Sequence, residues 1–73
     1  MKKSENQLLW YNKENKVISC DETNKVLNEN YSAIQNIIQN SYDDAVLMGC
    51  DENDFKKKLT VLINNLDFSL GKK

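Results

Sequence analysis

Apolar residues recur three or four positions apart from Leu27 onward: Leu27, Tyr31, Ile34, Ile38, Tyr42, Ala45 and Met48. That spacing sets one stripe on a helix of 3.6 residues per turn. Ile37 and Ser41 widen the stripe. The pattern predicts a long helix over residues 20–48. Ser19-Cys20-Asp21-Glu22 precedes it with the S-x-x-E form of a capping box. In such a box the serine hydroxyl accepts from a first-turn N–H, and the glutamate reaches back to the serine N–H.

A second stripe, Phe55, Leu59, Leu62, Ile63 and Leu66, predicts a shorter helix over residues 51–67. Asp51, Glu52 and Asp54 fall in its first turn, where carboxylates suit the positive helix end. Between the stripes stands Gly49, the only glycine before Gly71 in a chain without proline. Glycine supplies the left-handed residue that commonly ends a helix. The two helices therefore read as an antiparallel hairpin with a sharp turn.

The first twenty residues have another character. Leu8-Leu9-Trp10-Tyr11 and Lys16-Val17-Ile18-Ser19-Cys20 flank the polar Asn12-Lys13-Glu14-Asn15. This fits a small β-hairpin with a four-residue loop. It also fits an extended arm over residues 8–20 lying on a helical partner. A helix here ranks third, because the apolar residues cluster at both ends instead of repeating. Residues 1–7 and 71–73 read as disordered termini. The whole forms one small, mainly α domain, with no internal repeat.

The helix lengths create a mismatch. At 1.5 Å per residue the first helix spans roughly 42 Å and the second roughly 24 Å. The second covers only the far half of the first, leaving Leu27, Tyr31 and Ile34 bare unless another segment folds over them. Two copies forming a four-helix bundle would remove the deficit. Their shared core would hold Leu27, Tyr31, Ile34, Ile38, Tyr42, Ala45, Phe55, Leu59, Leu62, Ile63 and Leu66, with Ile34 and Ile38 near the two-fold axis. The rival is a monomer in which residues 8–20 cap the open half.

Charge changes this picture modestly. Net charge is −1, but residues 20–54 hold eight acids against Lys25, and lysines gather on either side. Asp43, Asp44, Asp51, Glu52 and Asp54 surround the turn as an acidic docking surface for an unknown protein partner. Their spacing lacks the alternating ligands of a calcium loop, so no metal or other cofactor is expected. Asp43 and Asp44 sit near a helix C-terminus, where negative charge is mildly unfavourable.

Lys56-Lys57-Lys58 raises the alternative of a nucleic-acid-associated regulator using the second helix and the lysine-rich termini. Every basic residue is lysine, so the bidentate guanidinium that reads guanine is missing. Acids one turn earlier would also repel a phosphate backbone. Trp10 and Tyr11, beside Lys13 and Lys16, suit a buried anchor better than a stacking platform.

The sequence has no histidine and no phosphate loop, G-x-S-x-G or C-x-x-C motif. A non-enzymatic role follows as the expectation. Cys20 and Cys50, at opposite ends of the predicted first helix, are too far apart to bridge within one chain. With no signal-peptide pattern and no long apolar run, a cytoplasmic setting without membrane insertion is expected. The sequence thus favours a small interaction or regulatory protein acting as a homodimer.

Overall fold

The computed structural model describes residues 8–70. It contains two helices, α1 over Asp21–Leu47 and α2 over Glu52–Asn64. The described residues fall into two compact units, one ending at Ile38 and the other beginning at Gln39. The expected disorder of residues 1–7 and 71–73 lies outside the described residues.

In the unit ending at Ile38, the chain before α1 turns back on itself. Ile18 N–H donates to Trp10 O at 2.8 Å, and Asn12 N–H donates to Lys16 O at 2.8 Å. These bonds frame an isolated antiparallel bridge between Tyr11 and Val17. Among the described residues no β-strand forms, so the expected hairpin shrinks to one bridge. Side chains block its growth at both ends. The Asn12 Oδ1 accepts from Glu14 N–H and Lys16 N–H, each at 3.0 Å. Asn24 Nδ2, from the first turn of α1, donates to Ile18 O at 2.9 Å. Asn15 takes a left-handed φ of 66°, a conformation asparagine tolerates better than most residues.

Strand-like alternation survives across the bridge. Tyr11 and Val17 are exposed, while Trp10 and Ile18 are half-buried. Trp10 stands edge-on to Tyr31 of α1, with ring centroids 6.0 Å apart. Its indole Nε1 donates to Asn28 Oδ1 at 3.0 Å. A buried indole N–H needs such a partner. The segment thus lies against the start of α1, where Leu27 is half-buried, while Tyr31 and Ile34 of the open half that the rival reading would cap stay exposed.

The α1 cap differs from the expected frame. Cys20, not Ser19, immediately precedes the helix, and its carbonyl accepts the first helical bond from Asn24 N–H at 3.0 Å. Ser19 is thus not the cap residue, and the residue three past Cys20 is Thr23, so the expected Ser19–Glu22 capping box does not frame this helix start. Asp21 and Glu22 still occupy the first turn, where they favour the helix dipole.

The unit beginning at Gln39 holds the end of α1, a four-residue turn (Met48 to Asp51) and α2. Gly49 adopts φ +94°. Cys50 N–H reaches Ala45 O at 2.8 Å and Gly49 N–H reaches Val46 O at 3.1 Å. This is a Schellman arrangement, which satisfies carbonyls that the helix end leaves open. Asp51 follows in an extended conformation, and its Oδ2 accepts from Asp54 N–H at 2.8 Å. The helical hairpin forms where the glycine and aspartate predict it.

α2 ends earlier than the sequence suggests, at Asn64 instead of near residue 67. Asn65 is its C-cap, with its N–H donating to Val61 O at 3.1 Å. Asparagine competes for nearby backbone groups and favours caps over helix interiors. Two in succession stop the helix before Leu66, leaving Leu66 and Phe68 on a non-helical tail.

A Cβ at Gly49 would meet no atom within 4 Å, so substitution there costs only backbone strain. Gly49→Ala is expected to lower stability by about 1–2 kcal/mol through the left-handed conformation alone. Chemical denaturation followed by far-ultraviolet circular dichroism measures this. An unchanged midpoint would mean that the turn does not need the left-handed residue.

Candidate functional site

All five acids of the expected docking surface lie in the unit beginning at Gln39. Most of them have structural work within that unit. Asp51 caps α2. Asp54 binds the Lys58 ammonium through both carboxylate oxygens, at 2.9 and 3.0 Å. Glu52 Oε1 accepts from the Tyr42 hydroxyl at 2.8 Å. Asp43 Oδ1 accepts from Gln39 Nε2 at 3.1 Å, one turn back on α1. Asp44 makes no side-chain hydrogen bond among the described residues. Nor do three Asp, Glu or Cys side chains there converge as a cation site would require.

Tyr42 is the hub of this unit. Its ring meets Phe55 edge-on, with centroids 5.6 Å apart and planes inclined by 70°. Lys56 Nζ lies 5.5 Å from the same ring centroid, within cation–π range. The Glu52 bond holds the phenol proton and pushes the Tyr42 pKa above its ordinary 10.0. Lys58 is likewise pushed above 10.5, first by its hydrogen bond to Asp54 and then by the Asp54 charge.

These contacts were hidden in the sequence, although the one-turn spacing of Asp54 and Lys58 is a readable i,i+4 pair. They also engage two lysines of the 56–58 run. Lys57 alone of the three has neither a carboxylate nor a ring partner among the described residues.

The expected shared core divides in two. Leu27, Ile38, Tyr42, Ala45, Phe55 and Leu59 are half-buried within the chain. Tyr31, Ile34, Leu62, Ile63 and Leu66 are exposed, Leu66 at 72%. Among the described residues no apolar side chain is fully buried. On α2 the change occurs after Leu59. Leu62 is 61% exposed and Ile63 54%, and on the tail Phe68 reaches 70%. Residues 59–66 include no charged side chain.

Both cysteines are free and exposed. At the start of α1, the Thr23 hydroxyl and backbone N–H hydrogen-bond to the Cys20 sulfur and lower its pKa below 9.0. The backbone N–H of Glu22 acts in the same sense, whereas Asp21 opposes it. An open groove of about 300 Å³ lies on the same helix turn, lined by Glu22, Thr23, Val26 and Leu27. Among the described residues no helix is long and apolar enough to cross a membrane.

No family model matches this chain, and no curated protein or solved structure matches it either.

The Tyr42 shift fixes a pH dependence. A pKa raised by folding gives stabilisation that is complete below the unfolded value near 10. It is lost as pH rises through the higher folded value. Tyr42→Phe is expected to remove that alkaline loss while retaining the ring contact with Phe55. Tyrosinate absorbance during denaturation at successive pH values measures it. An identical alkaline profile in both proteins would exclude the Glu52 bond as its source.

Cys20 offers a separate readout. In a Cys50→Ser background, Thr23→Val should slow maleimide addition at neutral pH, because less thiolate is present. Equal rates with and without the threonine hydroxyl would show that the cap does not tune the thiol.

Proposed function

We propose that this protein is a small non-enzymatic interaction or regulatory protein that acts as a homodimer. The observation that carries this reading is the exposure of Leu62, Ile63, Leu66 and Phe68 in a chain whose described residues include no fully buried apolar side chain. An isolated exposed leucine needs no explanation, but four large apolar side chains exposed within seven residues support an interaction surface. A small domain with no enclosed core also gains most from association.

The acids around the turn support a narrower role than first expected. Asp51, Asp54 and Glu52 serve the hairpin itself, so an acidic docking surface for another protein would rest chiefly on Asp43 and Asp44. The nucleic-acid alternative has weaker support. Asp54 neutralises Lys58, and Lys56 lies against Tyr42. A cytoplasmic location is part of the same proposal and rests on the sequence alone.

Sedimentation equilibrium from high nanomolar to high micromolar concentration should show a reversible monomer–dimer transition. Helix content should rise with the dimer fraction. A compact, fully helical monomer throughout would refute the homodimer. Gel shifts across a salt series separate the alternative: salt-sensitive binding of nucleic acid at low ionic strength would favour it over the protein-interaction reading.

A further inference from the structure

We infer that the dimer forms by antiparallel pairing of the uncharged segment 59–66 of α2 and its tail with the same segment of a second copy. This rests on the homodimer reading and adds its surface and polarity.

The segment runs Leu59-Thr60-Val61-Leu62-Ile63-Asn64-Asn65-Leu66. Leu59, Leu62 and Ile63 share one face of α2, and Leu66 and Phe68 follow on the non-helical tail. Phe55 and Leu59, at the start of that face, are half-buried within the unit, whereas Leu62, Ile63 and Leu66 are exposed. The exposed part with Phe68 offers roughly 500 Å² of apolar surface per chain. Complete closure of two copies on each other would bury at most about 1,000 Å², which just reaches the threshold for a specific interface.

Charge selects the occupant. The α2 part of this surface, residues 59–64, carries no charged residue, so it offers nothing for a charged partner to neutralise and can meet its own copy without bringing like charges together. A two-fold axis between Leu62 and Ile63 sets the exposed last turn of α2 against its own copy. It also carries the two acid-rich turns to opposite ends. At 1.5 Å per residue, the two Glu52 positions lie about 30 Å apart along the helices, several Debye lengths at physiological salt. Parallel pairing would instead set Asp43, Asp44, Asp51, Glu52 and Asp54 beside their own copies.

Disulfide trapping in the full chain, with Cys20→Ser and Cys50→Ser as background, tests the arrangement. Ile63→Cys lies next to the axis and should cross-link with its copy quickly on mild oxidation. Lys56→Cys, one heptad before Ile63 on the same side of α2 and displaced from its copy by roughly 20 Å along the helices, should cross-link at least tenfold more slowly. Leu62→Asn with Ile63→Asn should abolish the dimer in sedimentation. Circular dichroism at the same concentrations shows whether that variant keeps its helices. If it unfolds, the ratio of the two cross-linking rates decides alone.

Equal rates at both cysteines would overturn the antiparallel arrangement. A dimer that persists in the double asparagine variant and fails to trap through Ile63→Cys would overturn this surface while leaving the homodimer intact. A background protein that stays a folded monomer at every concentration would overturn both.

Discussion

The chain reverses between two helices within the four residues Met48 to Asp51, and the left-handed residue that permits so short a reversal is Gly49. Its φ of +94° lets Cys50 and Gly49 return their N–H groups to the carbonyls of Ala45 and Val46. The same turn delivers Asp51 in the extended conformation that lets its carboxylate cap α2. Tyr42 then meets Phe55, and the Tyr42 hydroxyl reaches Glu52. Each contact requires α2 to begin where it does. A side chain other than glycine would face no steric obstacle, yet would strain the turn on which those contacts depend.

The segment before α1 is held by a different kind of interaction. Three asparagines take backbone or indole groups that a longer ladder or water would otherwise satisfy. Asn12 gathers two loop amides, Asn24 donates to the Ile18 carbonyl and Asn28 accepts the Trp10 N–H. Asn24 and Asn28 stand one helical turn apart, so one face of α1 presents both polar anchors to the folded-back segment. Each bond contributes about 1 kcal/mol. Their larger effect is geometric: they fix Trp10 against Tyr31 while leaving Tyr11 and Val17 outward.

The parts of this fold legible in the sequence are those governed by local rules. The helix stripes, the glycine turn and the aspartate cap each depend on residues within a turn of one another. Less legible were features decided by side chains competing for backbone groups. Asn12 and Asn24 end the bridge that period-two alternation alone would extend into a hairpin. Asn64-Asn65 stops α2, although the apolar spacing continues to Leu66. The acids around the turn share charge and neighbourhood, which made them resemble one surface. Their separate roles depend on Tyr42, Lys58 and backbone amides, and those pairings become visible only when the hairpin closes.

These two modes of support bear on the proposed association. Edge-on aromatic pairs, caps and asparagine bonds give direction and register, but they remove little apolar surface from water. The driving force for a compact state grows with that area. In the described residues the half-buried side chains cluster around Trp10 and Tyr42, and the apolar positions of α2 beyond Leu59 stay open. On the proposed reading, a second copy completes that surface, so folding and dimerisation share one free energy. Protomer concentration then sets stability as well as oligomeric state. A regulator built this way would lose structure as it is diluted, and any partner that covers the same α2 face would act by competing with the second copy.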